Sequence, residues 1–235
     1  MNLQEIRIIL STIIQQRKPT ITVPVEQFNT LLKYSQLKHF KNCLGLPEEY
    51  SPGAWVASRL PEVTRVISES IRPFMVYMGK DNEAPLFVTN GYANIPSDYY
   101  YPLSMRYTLA KPNGVIKDKV IEITTDKRWE EVLSSAVVFP TIGRPYCNFK
   151  SNYIQFEPKT IQFAKFSYIR KPADPIYSLK LEDGDYVYDS ATSVQLEWKD
   201  NDILDIINIM LGELSVPLTR GDIKSISEQV KNKGI

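Results

Sequence analysis

Residues 103–125, LSMRYTLAKPNGVIKDKVIEITT, carry the alternation on which the fold class turns. Leu103, Met105, Tyr107 and Leu109 are apolar, with polar Ser104, Arg106 and Thr108 between them. A strand points successive side chains to opposite faces, so this period of two predicts a half-buried strand. The PNG at 112–114 supplies a turn, and Val115 to Thr124 reads as the returning strand. A β-rich centre follows from these residues.

Working outward toward the C-terminus, Asp126 reads as the cap of a short helix carrying Trp129, Val132 and Leu133. The aromatic and β-branched run from Tyr153 to Ile169 is broken at Pro158 and predicts two strands. EDGD at 182–185 reads as a hairpin turn before Tyr186, Val187 and Tyr188. Val194, Leu196 and Trp198 alternate with Gln195 and Glu197, again a strand pattern. Asp200 or Asn201 then caps a helix with Ile203, Ile206, Ile207, Met210 and Leu211 inward, ended by Gly212. Thr219 with Asp222 resembles a capping box, opening a last helix with a stripe of Ile223, Ile226 and Val230.

Toward the N-terminus the period becomes helical. Leu3, Ile6, Leu10, Ile13 and Ile14 form one stripe. RKPTITVP at 17–24 reads as a linker, and Pro24 suits the first turn of the next helix. Phe28, Leu32, Phe40 and Leu44 recur at multiples of four, with Gly45 as the stop. Ser51-Pro52 reads as a further N-cap, Pro61 breaks or restarts that helix, and Val63, Val66, Ile67 and Ile71 carry it to about Arg72. No βαβ rhythm is evident, so the expected class is α+β with a mostly antiparallel sheet. The expected parts are an N-terminal helical segment (1–72), a β-rich central domain (73–198) and a C-terminal helix pair (199–235). The pair is expected to pack back on the centre, making one compact unit overall.

The chain has 235 residues, 43% of them hydrophobic, and a formal net charge of +1, so it can bury a sizeable core and carries no general polyanion-binding charge. Cys43 and Cys147 fit no zinc spacing and read as two thiols in a reducing compartment. The apolar stretch from Ile6 to Ile14 is interrupted by Arg7, Ser11 and Thr12 and is too short for a membrane span. It also lacks the features of a signal peptide. The expectation is a soluble, intracellularly made protein.

Motifs for chemistry are sparse. His39, the one histidine, lies in a helical run with no acid near it in sequence and is not read as part of a nucleophile system. Ten scattered glycines form no phosphate loop. The acids at 182–185 and 200–205 are read as a turn and a helix start, the latter favoured by the helix dipole. No catalytic residue, cofactor site or metal site is assigned, and the chain is read as a non-enzyme. Tyr92 with Tyr99, Tyr100 and Tyr101 could stack on sugars, which makes a carbohydrate-binding or adhesion module the alternative reading. Tyrosines packed in a core or at an interface account for the same residues.

Charge is uneven along the chain. From 141 to 172 there are six Lys/Arg against Glu157, and from 174 to 205 nine acids against Lys180 and Lys199. Such a pattern suits head-to-tail contact between copies, and equally suits two solvated faces of one monomer. The residues placed at inter-subunit contacts are Arg144, Tyr146, Arg170 and Lys171 on the basic side. Asp174, Glu182, Asp183 and Asp185 are their acidic counterparts.

Over most of its length the chain resembles the head-to-tail connector ring proteins of crAss-like and related tailed bacteriophages of Bacteroidetes. The resemblance rests on VPVEQFNTLLKYSQLKHFKNCLGL (23–46), SIRPF (70–74), NIPSDYYYPLSMRY (94–107) and SSAVVFPTIGRPYCNF (134–149). It continues through FEPKTIQFAKFSYIRKPADPIY (156–177) and DSATSVQLEWKDNDILDIINIMLGELSVPL (189–218). It is one of order and spacing and has no catalytic signature. It implies a virion structural protein, made in the host bacterial cytoplasm and assembled as a homo-oligomeric, twelvefold ring. The ring would lie between the portal protein and other connector or tail proteins. Genomic DNA would pass through it without sequence readout, and no membrane is involved. Sixteen prolines suit extended arms, and the segments 139–152 and 170–178 are the arms expected to cross subunits.

Overall fold

A computed structural model describes residues 1–17, 19, 22–44, 69–79, 84–110 and 116–215. The chain divides into two compact units, one made of Met1–Pro73 with Pro172–Ile235 and the other of Phe74–Lys171. The class is α+β, as the residue patterns predict.

The continuous unit is a curled sheet. Its strands are β1 (Met75–Met78), β2 (Leu86–Phe87), β3 (Tyr92–Asn94), β4 (Tyr99–Ala110), β5 (Ile116–Thr124), β6 (Tyr146–Phe149), β7 (Tyr153–Glu157) and β8 (Phe163–Arg170). They run β1-β8-β4-β5-β6-β7-β3, with β2 also paired to β8. The alternation at 103–110 becomes the long strand β4. β5 returns antiparallel beside it, in a register that sets Met105 opposite Ile121 and Ala110 opposite Ile116. The PNG turn between them lies outside the described residues. The break expected at Pro158 separates β7 from β8.

One face of the sheet is apolar. Met105, Tyr107, Ile121, Cys147, Ile154, Phe156, Phe166 and Tyr168 are buried together there. One pairing departs from the antiparallel rule: β5 and β6 are parallel. A parallel pair needs a crossover, and α3 (Asp126–Ser134) supplies it, laying Trp129 and Val132 on Tyr146. Asp126 does not cap this helix. The N-cap position is Thr125, while Asp126 accepts hydrogen bonds from Asn148 and Lys150 on and beside β6.

The discontinuous unit is built on α1 (Leu3–Arg17), α2 (Val25–Leu44) and α4 (Asp200–Glu213). The stripe on α1 is buried as predicted, with Ile9 added. The C-terminal helix α4 packs on α2 and α1 within this unit, through Ile203, Ile206, Ile207, Met210 and Leu211. Its N-cap position is Lys199, with neither Asp200 nor Asn201 capping it, and Asp202 in its first turn is buried.

The expected alternating strand at 194–198 does not form. A single bridge, Ile176 to Val194, replaces it. Side chains of α2 hold the backbone at Ala173 and Tyr177, in the segment that carries the other side of this bridge. Asn29 both donates to the Tyr177 carbonyl (3.1 Å) and accepts from its N–H (2.8 Å). Gln36 donates to the Ala173 carbonyl, and the Leu3 N–H donates to Gln195. These bonds place 172–198 with the helices, where the residue patterns put the strand-like region up to 198 in the β-rich domain. Of the helix expected around 51–72 only the end is described, residues 69–71 being helical and leading into a 3₁₀ turn at Arg72–Phe74; the helix expected at 219–230, the Gly45 stop and residues 18, 20 and 21 of the linker lie outside the described residues.

Candidate assembly surface

Apolar side chains are exposed in several places, among them Phe87, Val120 and Phe163 on the sheet, and two further segments present them in groups. The first is the hairpin β9 (Leu179–Glu182) and β10 (Asp185–Tyr188), a two-stranded sheet of its own. Asp183 and Gly184 both take positive φ, 53° and 92°, as a two-residue type I′ turn requires. Cross-strand partners Leu181 and Tyr186 share one face with Leu179 and Tyr188. Tyr188 stacks on Tyr177 at 4.9 Å. Nearer the turn, Leu181 is 66% and Tyr186 76% exposed. The opposite face carries Lys180 and Glu182, paired at 3.1 Å, with Asp185 and Val187.

The second segment is the loop from Ser135 to Pro145. The Ser135 hydroxyl accepts the N–H groups of Val137 and Val138, and Thr141 and Arg144 exchange backbone hydrogen bonds at 3.2 and 2.9 Å. Tyr107 donates its hydroxyl to the Ile142 carbonyl. Held this way, Val137 (92%), Phe139 and Ile142 point outward.

The residues singled out as inter-subunit contacts separate by environment. Arg144 is exposed, its guanidinium 5.6 Å from the Tyr146 ring centroid. Tyr146 itself is 0% exposed and fills the core between α3 and β6, so its side chain is not a surface contact. Tyr146, Cys147 and Asn148 of β6 are all buried, so no alternation in this short strand marked Tyr146 as core. Arg170 lies 5.5 Å over the Phe74 ring, and Lys171 is exposed. Asp174 pairs with Lys33 at 2.6 Å. Glu182, Asp183 and Asp185 gather at the hairpin tip. Among the described residues neither Asp183 nor Asp185 has a side-chain hydrogen bond or ion pair.

The tyrosine set does not form one platform. Tyr99 stacks on Phe149 at 5.4 Å and leans on Phe166, inside the sheet's core. Tyr92 meets Tyr153 edge-on at 5.4 Å on strand β3, which is not adjacent to β4.

One cluster went unread in the sequence because Asp202 and Trp198 lie far along the chain from His39 and Cys43. His39 Nε2 lies 3.5 Å from Asp202 Oδ1 and 3.5 Å from Cys43 Sγ, with Trp198 edge-on at 4.8 Å. Ser70 donates to Asp202 at 2.8 Å. Thiol and carboxylate approach the same ring nitrogen. A nucleophile–base–orienter relay needs them on different nitrogens, so this is a buried ion pair joining α2 to α4. Burial alone would lower the His39 pKa; the bonds to Asp202 and Cys43 outweigh it and raise it to about 9. Burial likewise opposes the Asp202 charge, yet the His39 and Ser70 bonds hold its carboxyl below the usual range.

Both cysteines are free, Cys147 buried and Cys43 half-buried, and burial pushes the Cys147 thiol up to about 12. Among the described residues no helix is long and apolar enough to cross a membrane, and no group of three or more His, Cys, Asp or Glu is placed to hold a metal ion. Comparison with protein-family models and with curated proteins finds no match for this chain.

Proposed function

We propose that this chain is a structural subunit of a tailed-phage head-to-tail connector, a virion ring between portal and tail that acts by gripping other polypeptides. The observation that carries the reading is the outward apolar set on ordered backbone: Val137, Phe139 and Ile142 on a hydrogen-bonded loop, Leu181 and Tyr186 on a hairpin. Exposed apolar side chains clustered on defined geometry mark contact surfaces. The resemblance in the order of segments along the chain supplies the identity of the assembly. Ring copy number, the portal partner and passage of DNA through the ring belong to the same proposal.

The test is co-expression with the portal protein of the same genome, followed by mass photometry of the purified complex. The expected result is a discrete species of fixed copy number. Val137→Asp with Phe139→Asp should lower its yield about tenfold or more, since removing two interface anchors costs at least ~1.4 kcal/mol, while the monomer's melting temperature stays within a degree or two. Binding in a glycan array with no portal complex would instead favour the carbohydrate-binding alternative.

A further inference from the structure

The sheet carries a groove of about 340 Å³, lined chiefly by Tyr77, Ser104, Arg106, Asp118, Lys165 and Ser167, on the side away from buried Met105 and Phe166. Its charges do not balance. The register sets Arg106 on β4 directly opposite Lys165 on β8, and like charges so placed repel. Asp118 bonds directly to only one of them and acts on Arg106 only through space. It accepts both its bonds from Lys165, at 2.9 and 3.0 Å, and a third from Thr108. Arg106 has no hydrogen bond or ion pair among the described residues. Beside it the Ser104 and Ser167 hydroxyls, also opposite each other, are available as donors. The groove therefore holds two bases, one acid and a place for a second carboxylate. Apolar Val120 and Tyr77, both exposed, flank it.

The hairpin has the converse character. Among the described residues Asp183 and Asp185 have no side-chain hydrogen bond or ion pair, a Cβ on Gly184 would meet no atom within 4 Å, and Leu181 and Tyr186 lie in solvent on one side. A lone two-stranded ribbon with an exposed apolar face is marginal in water and gains from being covered. A carboxylate at the tip, followed by an apolar pair, matches an Arg106 guanidinium flanked by Val120 and Tyr77.

We propose that the 179–188 hairpin of one copy seats its tip in the Arg106 groove of a second copy, a head-to-tail contact. This deepens the assembly reading above and rests on it for the repetition of the contact around a ring. Hairpin and groove are different surfaces, so the contact is heterologous, as a closing ring requires.

The experiment mixes two singly labelled proteins, both carrying Cys43→Ser. One carries Glu182→Cys on the hairpin and the other Ser104→Cys in the groove. Because the two cysteines sit on separate chains, no link within one chain can mimic the result. Mild oxidation should give a disulfide-linked dimer from the mixture and monomers from either protein alone. Adding Arg106→Glu to the groove partner should lower the yield about fivefold, and Asp183→Lys with Asp185→Lys on the hairpin partner should restore it. No dimer from the mixture, dimers from the hairpin protein alone, or indifference to charge reversal each overturns the contact. The two readings fail separately. A ring formed with the portal but without the cross-link removes this contact and leaves the assembly. A cross-link without any ring keeps the contact and removes the connector reading.

Discussion

His39 enters the core beside Asp202 with both side chains about nine-tenths buried, and the protonation of this pair should govern part of the protein's pH response. An unfolded imidazole titrates near 6.5, whereas His39 in the fold titrates at about 9. Below 6.5 both states hold the proton and the full stabilisation is present. It falls as pH rises from 6.5 and is gone once pH has passed 9, with an upper bound of about 3 kcal/mol. Asp202, held low, acts in the opposite sense, losing its contribution as pH drops through its folded pKa. Urea midpoints at pH 6, 7.5 and 9.5 should therefore decline in the native protein, and His39→Gln should flatten that decline. A native profile level across this window would refute the buried ion pair. A second buried residue gives a test of opposite sign. The Tyr146 hydroxyl is buried with no hydrogen-bond partner among the described residues. Tyr146→Phe removes an unsatisfied polar atom and keeps the ring against Trp129 and Val132. Its melting temperature should equal or exceed the native one, by up to ~1 kcal/mol in stability, and a clear loss would show that the hydroxyl bonds.

At the scale of elements, what the residue patterns reveal depends on where an element finds its partners. The alternation along 103–109 marks β4 unaided, and its neighbour in sequence becomes its neighbour in the sheet. The acid-glycine turn at 182–185 marks β9 and β10 for the same reason, because Asp183 and Gly184 accept positive φ cheaply. Alternation at 194–198 misleads, since Val194 pairs its backbone with Ile176 in a single bridge, while the Gln195 and Glu197 side chains accept the N–H groups of Leu3 and Ala173, residues far along the chain. The parallel β5–β6 pair was likewise hidden, since one short helix between two strands gives no rhythm to detect. The hairpin tip of the candidate surface was legible as a charge cluster, while the groove's imbalance depends on the β4–β8 register, which no local pattern encodes. The turn into β3 makes a further test of element geometry. Gly91 has φ +85°, and a Cβ there would lie 3.0 Å from the Phe156 carbonyl oxygen, whose residue's N–H donates to the Gly91 carbonyl. Gly91→Ala should cost about 2 kcal/mol or more, read as a lowered urea midpoint with an unchanged slope. A substitution costing nothing would mean this backbone approach is not made in solution.

At the scale of the whole molecule, one unit is inserted into the sequence of the other. The helical unit is interrupted after Pro73 and resumes at Pro172. The change of charge sign between Lys171 and Asp174 coincides with that second boundary, so the composition did mark it, although as charge and not as a domain edge. Insertion requires that the inner unit bring its ends together. The register does so: Met75 at the start of β1 pairs with Ile169 at the end of β8, which holds those Cα atoms about 5 Å apart. Just beyond, the Lys171 N–H donates to the Asp98 carbonyl at 2.8 Å. A segment whose first and last strands are hydrogen-bonded neighbours, and whose core is its own, has what it needs to fold alone. Residues 74–171 expressed by themselves should therefore unfold in one cooperative urea transition. Trp129 is the sole tryptophan in that segment and is 4% exposed, so it reports the event directly. Its emission should be blue-shifted in buffer and move to the red across the transition. Red emission in buffer, with no transition, would show that the sheet needs the helical unit to form, and the nested-unit description would fall.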